Sequence, residues 1–225
     1  MILQTILRSA AQFISVIFHP LLVLTYMLLL LLAANPYLFG FNNLAEGHKT
    51  ILVVFLSTFL LPAFSVMLMK WLGMIQSLQM RDKSERIGPY IATGVFYLWT
   101  FKSLYANTDI PIAFTAAVLG ATMALFASFF INIFQKISAH AVGMGGLTAL
   151  AFLTVVWFGY GTFSLTALGD SGAQTTTEVA FMTVIFLSGI VGTARLLLGA
   201  HQPKDLYAGF LLGFATQIIA IKILL

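Results

Sequence analysis

The chain has 225 residues, 60% of them hydrophobic and only 8% charged, with a formal net charge of +4 and no cysteine. A soluble domain carries about 25% charged residues, so the composition excludes a water-soluble globular protein and describes an integral membrane one. The absence of cysteine excludes disulfides and thiolate metal sites, and the small positive charge suits anionic lipid or phosphate but is too small for nucleic acid.

A bilayer core of about 30 Å takes about 20 apolar residues per helix. Strict apolar–polar alternation is absent, so a membrane β-barrel is not expected. The expected fold class is all-α: one polytopic transmembrane helix bundle over 1–225, with about seven spans and six possible. The first run is roughly Phe13 to Ala34, read as a retained span rather than a cleaved signal peptide, with a polar kink at His19-Pro20. The second runs from about Thr50 to Leu72, with a kink expected at Pro62. The loop GMIQSLQMRDKSERIGP follows and carries the densest charge in the chain. The third run begins at Pro89 or Tyr90, is short, and fades between Lys102 and Asn107. The fourth runs from about Pro111 to Phe134 and the fifth from about Ala139 to Tyr160, separated by QKIS. A polar loop at 161–177 precedes the sixth run, Glu178 to Leu198; the gap GAHQPK precedes the seventh, Asp205 to the end.

Alternating the sides places three polar breaks on one face: Arg81/Lys83/Arg86, Lys136/Ser138/His140 and Arg195/His201/Asp205. That holds only if the third and fourth runs are two separate passes. Each break also precedes a helix start. Pro89 fits a first helical position, Ser138 fits an N-cap, and Pro203 fits a first turn. Helix N-termini attract anions through free N–H groups and the helix dipole. With arginines beside them the preferred guest is a phosphate, which guanidinium grips in a bidentate fork. Lys136 and Lys204 read as headgroup contacts, and Gly209 with Gly213 as a close-packing pair within the bundle. The cationic side chains lie eight to three in favour of the face with the breaks, which places that face in the cytoplasm; setting aside Arg81, Arg86 and Arg195 leaves five against three.

These residues resemble the type-2 phosphatidic-acid phosphatase superfamily, over roughly residues 50–225. Its third motif is Ser-Arg, five residues, His, three residues, Asp. Arg195, His201 and Asp205 match it in identity and spacing, with Ala194 at the Ser position. Its second motif, Pro-Ser-Gly-His, corresponds to Ile137-Ser138-Ala139-His140. Its first motif, Lys, six residues, Arg-Pro, anchored on Pro89, puts Arg81 at the Lys, Arg86 at an inner Arg and Gly88 where an Arg is expected; Lys83 is a possible substitute. The resemblance implies a metal-independent, cofactor-free phosphatase of a membrane lipid carrying a phosphate or pyrophosphate headgroup, in a bacterial plasma membrane. His201 would be the nucleophile, Asp205 its orienting partner and His140 the proton donor to the leaving group. Arg195, Arg86, Arg81, Lys83 and Ser138 would hold the phosphate. The departures in the first two motifs leave open a non-catalytic lipid-phosphate binder or transporter on the same fold. A b-haem carrier using His140 and His201 as ligands would leave Arg195 and Asp205 unexplained.

Overall fold

The computed structural model describes residues 2–77, 84–164 and 174–225. It is a helical bundle: α1 (Ile2–Ile17), α2 (Val23–Ala34), α3 (His48–Phe55), α4 (Leu61–Trp71), α5 (Ile87–Tyr105), α6 (Ile112–Phe134), α7 (Ala139–Leu153), α8 (Thr177–Leu197) and α9 (Pro203–Leu224). Six segments are long and apolar enough to cross a membrane: Gln4–Ala34, Pro36–Trp71, Ile112–Phe134, Ala139–Phe158, Thr177–Leu197 and Pro203–Leu224. The protein is an integral membrane protein. The short third run forms α5, whose 19 residues reach about 28 Å at 1.5 Å per residue, but Lys102 and several Gly, Thr and Ser residues dilute its apolar content.

The breaks follow the sequence. The first run is not one helix from Phe13: it starts at Ile2, stops at Ile17, and resumes at Val23 after a short 3₁₀ turn, Pro20–Leu22. Pro20 lacks the N–H that a continuous helix would use, and His19 caps the new turn, its Nδ1 accepting from Leu21 N at 3.3 Å. The Pro62 kink is a widened π turn, Leu56–Leu60, just before α4. A second π turn, Thr154–Phe158, extends α7. Part of the expected 161–177 loop is a two-stranded antiparallel hairpin, Thr162–Ser164 with Gln174–Thr176.

The core gathers around α2, whose Leu24, Met27, Leu28, Leu31 and Leu32 are fully or almost fully buried. They pack with Phe114 and Val118 of α6, Met144 and Leu150 of α7, and Val191 of α8. A helix apolar on every side belongs in the middle of a bundle. α7 lies tightly on α9: a side chain at Gly145 would strike the Phe210 backbone carbonyl, and one at Gly213 the Val142 carbonyl. The Gly209/Gly213 pair thus serves helix packing inside the chain, as expected.

Two contacts fix the ends. Arg86, at the start of α5, donates to Asn132 Oδ1 near the end of α6 at 3.1 Å, and Tyr90 meets Phe129 with ring centroids 5.7 Å apart. α5 and α6 are therefore two separate antiparallel helices rather than one. At the other end Asn35 Nδ2, after α2, donates to Phe158 O, after α7, at 2.9 Å.

Candidate active site

The α6–α7 and α8–α9 gaps are stitched together. Lys136 Nζ donates to Ala200 O at 2.6 Å, and Ser138 N to Asp205 O at 3.3 Å. Ser138 caps α7, its Oγ accepting from Ala141 N at 3.4 Å, and is completely buried. Its Oγ thus accepts within the cap and its N–H donates across to Asp205 O.

α8 ends on Gly199, whose φ of 62° is left-handed and open to glycine without strain. The reversal brings Ala200 N back to Arg195 O at 3.2 Å. His201 is thereby folded toward Arg195. α9 opens at once, with Gln202 as N-cap, Pro203 in the first turn and Asp205 in a reciprocal capping box. Asp205 Oδ2 accepts from Gln202 N at 3.0 Å and lies 3.4 Å from His201 Nδ1. The helix starts earlier than the expected Asp205, and that early start lets the carboxylate face the histidine four residues before it.

The His201 and Asp205 side chains are 9% and 6% exposed, so their charges act in a poorly screened environment. Burial holds the His201 imidazole down to about 4; the positive charges of Arg195 and Lys136 act the same way, and Asp205 opposes them. His201 is therefore uncharged at neutral pH, with Nδ1 toward the carboxylate and Nε2 left as the unprotonated nitrogen. Lys136, expected to meet lipid headgroups, is part of this local field.

The third wall comes from a segment that the motifs leave out. Ser15, near the end of α1, has its carbonyl 3.0 Å from His140 Nε2, and its hydroxyl accepts from Arg195 at 3.2 Å. A carbonyl can only accept, so His140 carries its hydrogen on Nε2, and Nδ1 is the nitrogen free to exchange protons. His19 lies against His140, ring centroids 6.0 Å apart and nearly perpendicular. Arg195 is an electrostatic neighbour of His19, His140 and His201 alike. The expectation for His19 was only a satisfied polar residue at a kink. It is satisfied at the kink as the cap of the new turn, and it also belongs to this cluster. A helix break with a polar residue inside an apolar run is the local signal that could have pointed there.

Arg86 stands at the same end of the bundle, on Asn132 one helical turn before Lys136. Pro89 sits in the first turn of α5, two residues inside the start at Ile87 rather than at its first position. Arg81 and Lys83 lie outside the described residues. At the position of the third motif's serine, Ala194 is buried, and the neighbouring Thr193 hydroxyl turns back to Gly189 O at 2.8 Å. Among the described residues no group of three His, Asp or Glu is placed to hold a metal ion. No family model, curated protein or solved structure matches the chain.

Proposed function

We propose that the protein is a membrane-embedded phosphatase that hydrolyses a lipid phosphate or pyrophosphate through a phosphohistidine. The observation that carries this reading is a buried polar cluster left under-satisfied. Arg195 Nε is buried without a hydrogen-bond partner, and His201 Nδ1 is engaged only by the Asp205 carboxylate at 3.4 Å. A buried unpaired guanidinium N–H costs about 1–3 kcal/mol, a cost that a guest with several anionic oxygens removes.

In the proposed reaction His201 Nε2 attacks phosphorus and the bond to the lipid oxygen breaks. The leaving oxygen takes a proton from Nδ1 of His140, which enters the step protonated on both ring nitrogens beside the anionic guest, and Asp205 balances the charge on the phosphorylated imidazole. Water then attacks phosphorus, giving its proton to His140 and releasing inorganic phosphate. Arg195, Arg86 and the N–H groups opening α7 oppose charge on the equatorial oxygens; the roles expected for Arg81 and Lys83 belong to the same proposal. The substrate approaches from the bilayer, and the chain works in a bacterial plasma membrane. The test is phosphate release by the purified chain from phosphatidic acid, phosphatidylglycerol phosphate and undecaprenyl pyrophosphate, in the presence of a chelator. His201→Ala should abolish it; release that survives this substitution sinks the mechanism.

One observation favours a second reading. His140 already has Nε2 on Ser15 O, and Gly88 stands where an arginine is expected, so the site could bind lipid phosphates without turning them over. Saturable binding of these lipids with no phosphate released would select that reading.

A further inference from the structure

Resting on the phosphatase or phosphate-binding reading above, we propose that His19 is a phosphate-binding residue of this site, delivered by the break between α1 and α2. Three observations carry it. First, the tautomer is set by geometry: a backbone N–H, that of Leu21, points at Nδ1, so Nδ1 accepts and the ring hydrogen sits on Nε2. His19 is thus a neutral hydrogen-bond donor, with its acceptor side already used. Second, the ring is held in place. It meets Phe59 with centroids 6.4 Å apart at 78°, and His140 at 6.0 Å and 77°. A ring fixed by its own cap and by two aromatic neighbours has lost its rotamer freedom before any ligand arrives, which favours binding. Third, the His140 it lies against and the Arg195 guanidinium meet on one residue, Ser15, through its carbonyl and its hydroxyl, so His19 stands beside the neighbours of that guanidinium.

The ligand is a phosphoryl group, whether a lipid headgroup or free inorganic phosphate, and the two sources are separated in the test.

The experiment uses the purified full-length chain in detergent, with inorganic phosphate as one probe and phosphatidic acid as the other. His19→Asn keeps a side-chain oxygen to cap Leu21 N but cannot reach as Nε2–H does; His19→Gln carries an amide N–H to about the same distance. A hydrogen bond to an ionised partner predicts phosphate binding at least about tenfold weaker in His19→Asn, with the KM for phosphatidic acid rising in step. His19→Gln should recover most of it, at an unchanged melting temperature. His19→Asn that folds and binds both probes as the parent does overturns the inference while leaving the phosphatase reading intact. If the parent chain neither binds phosphate nor releases it from phosphatidic acid, that reading falls and this inference with it. Should His19→Asn fail to fold, the ring nitrogen resonances of His19 in the parent decide the question: phosphate must shift Nε2, and an unmoved Nε2 overturns the inference.

Discussion

His201 joins two properties that pull against each other in water. The nucleophile role proposed for it needs an unprotonated imidazole, yet its carboxylate partner favours the protonated form. Burial resolves the conflict here, with Arg195 and Lys136 acting on the same side and Asp205 against. The acid limb of kcat/KM, which reports the free enzyme, should therefore fall near pH 4 rather than near the ordinary histidine value of 6.5. Lys136→Met removes one of the lowering charges and should move that limb upward, as a pH–rate profile would record. The sign for stability follows from linkage: the folded value lies below the unfolded one, so the contribution is complete above 6.5 and drains away as the pH falls toward about 4. Ser15→Ala makes a separate test. It removes the hydroxyl that Arg195 uses and keeps the carbonyl that His140 uses, so KM for a lipid phosphate should change while the pH profile stays in place.

At the scale of elements, the site depends on how helices begin and end. Gly199 reverses the chain after α8 with a φ of 62°. Gly199→Ala forces a methyl into a left-handed conformation at about 1–2 kcal/mol, and relaxation of that strain would carry His201 away from Arg195. Turnover should therefore fall further than thermal stability does, as paired measurements of kcat and melting temperature would register. Helix starts were legible because capping is local chemistry: Ser138 before an apolar run, and Pro203 with an acidic residue two places on, are visible within four residues. The first run starts earlier than its apolar count predicts because Gln4 and Arg8 interrupt that count, while α1 continues through them against α8. The groove between these two helices runs from Leu7 and Ile14 on one side to Ile185 and Leu197 on the other. With Ser15 on Arg195, that makes α1 and α8 run in the same direction.

For the whole molecule, the governing contact is α7 against α9. Here the Gly145–Phe210 and Gly213–Val142 approaches leave no room for a side chain. Gly213→Leu should disrupt the bundle by more than the about 1–3 kcal/mol typical of overpacking, because the obstacle is backbone rather than a movable side chain; a large fall in melting temperature in detergent would be the sign. This contact explains which part of the site could be read in advance. Arg195, His201 and Asp205 are neighbours in the chain, and their spacing carries their geometry. The partnership of Ser15 with His140 and Arg195 joins positions 125 and 180 residues apart. No local pattern encodes such a pairing; only the packing of α1 beside α8, and of the α1–α2 break beside α7, creates it.

That long reach sets an order of events during synthesis. Ser15 and His19 leave the ribosome well before Arg195, His201 and Asp205. The early segment must wait in the bilayer, its polar groups paired with lipid headgroups, water or one another, until α8 and α9 arrive. The cluster cannot close on a partly made chain. A ribosome stalled before α9 leaves a helical protein in the membrane in which His201 has no Asp205 to face.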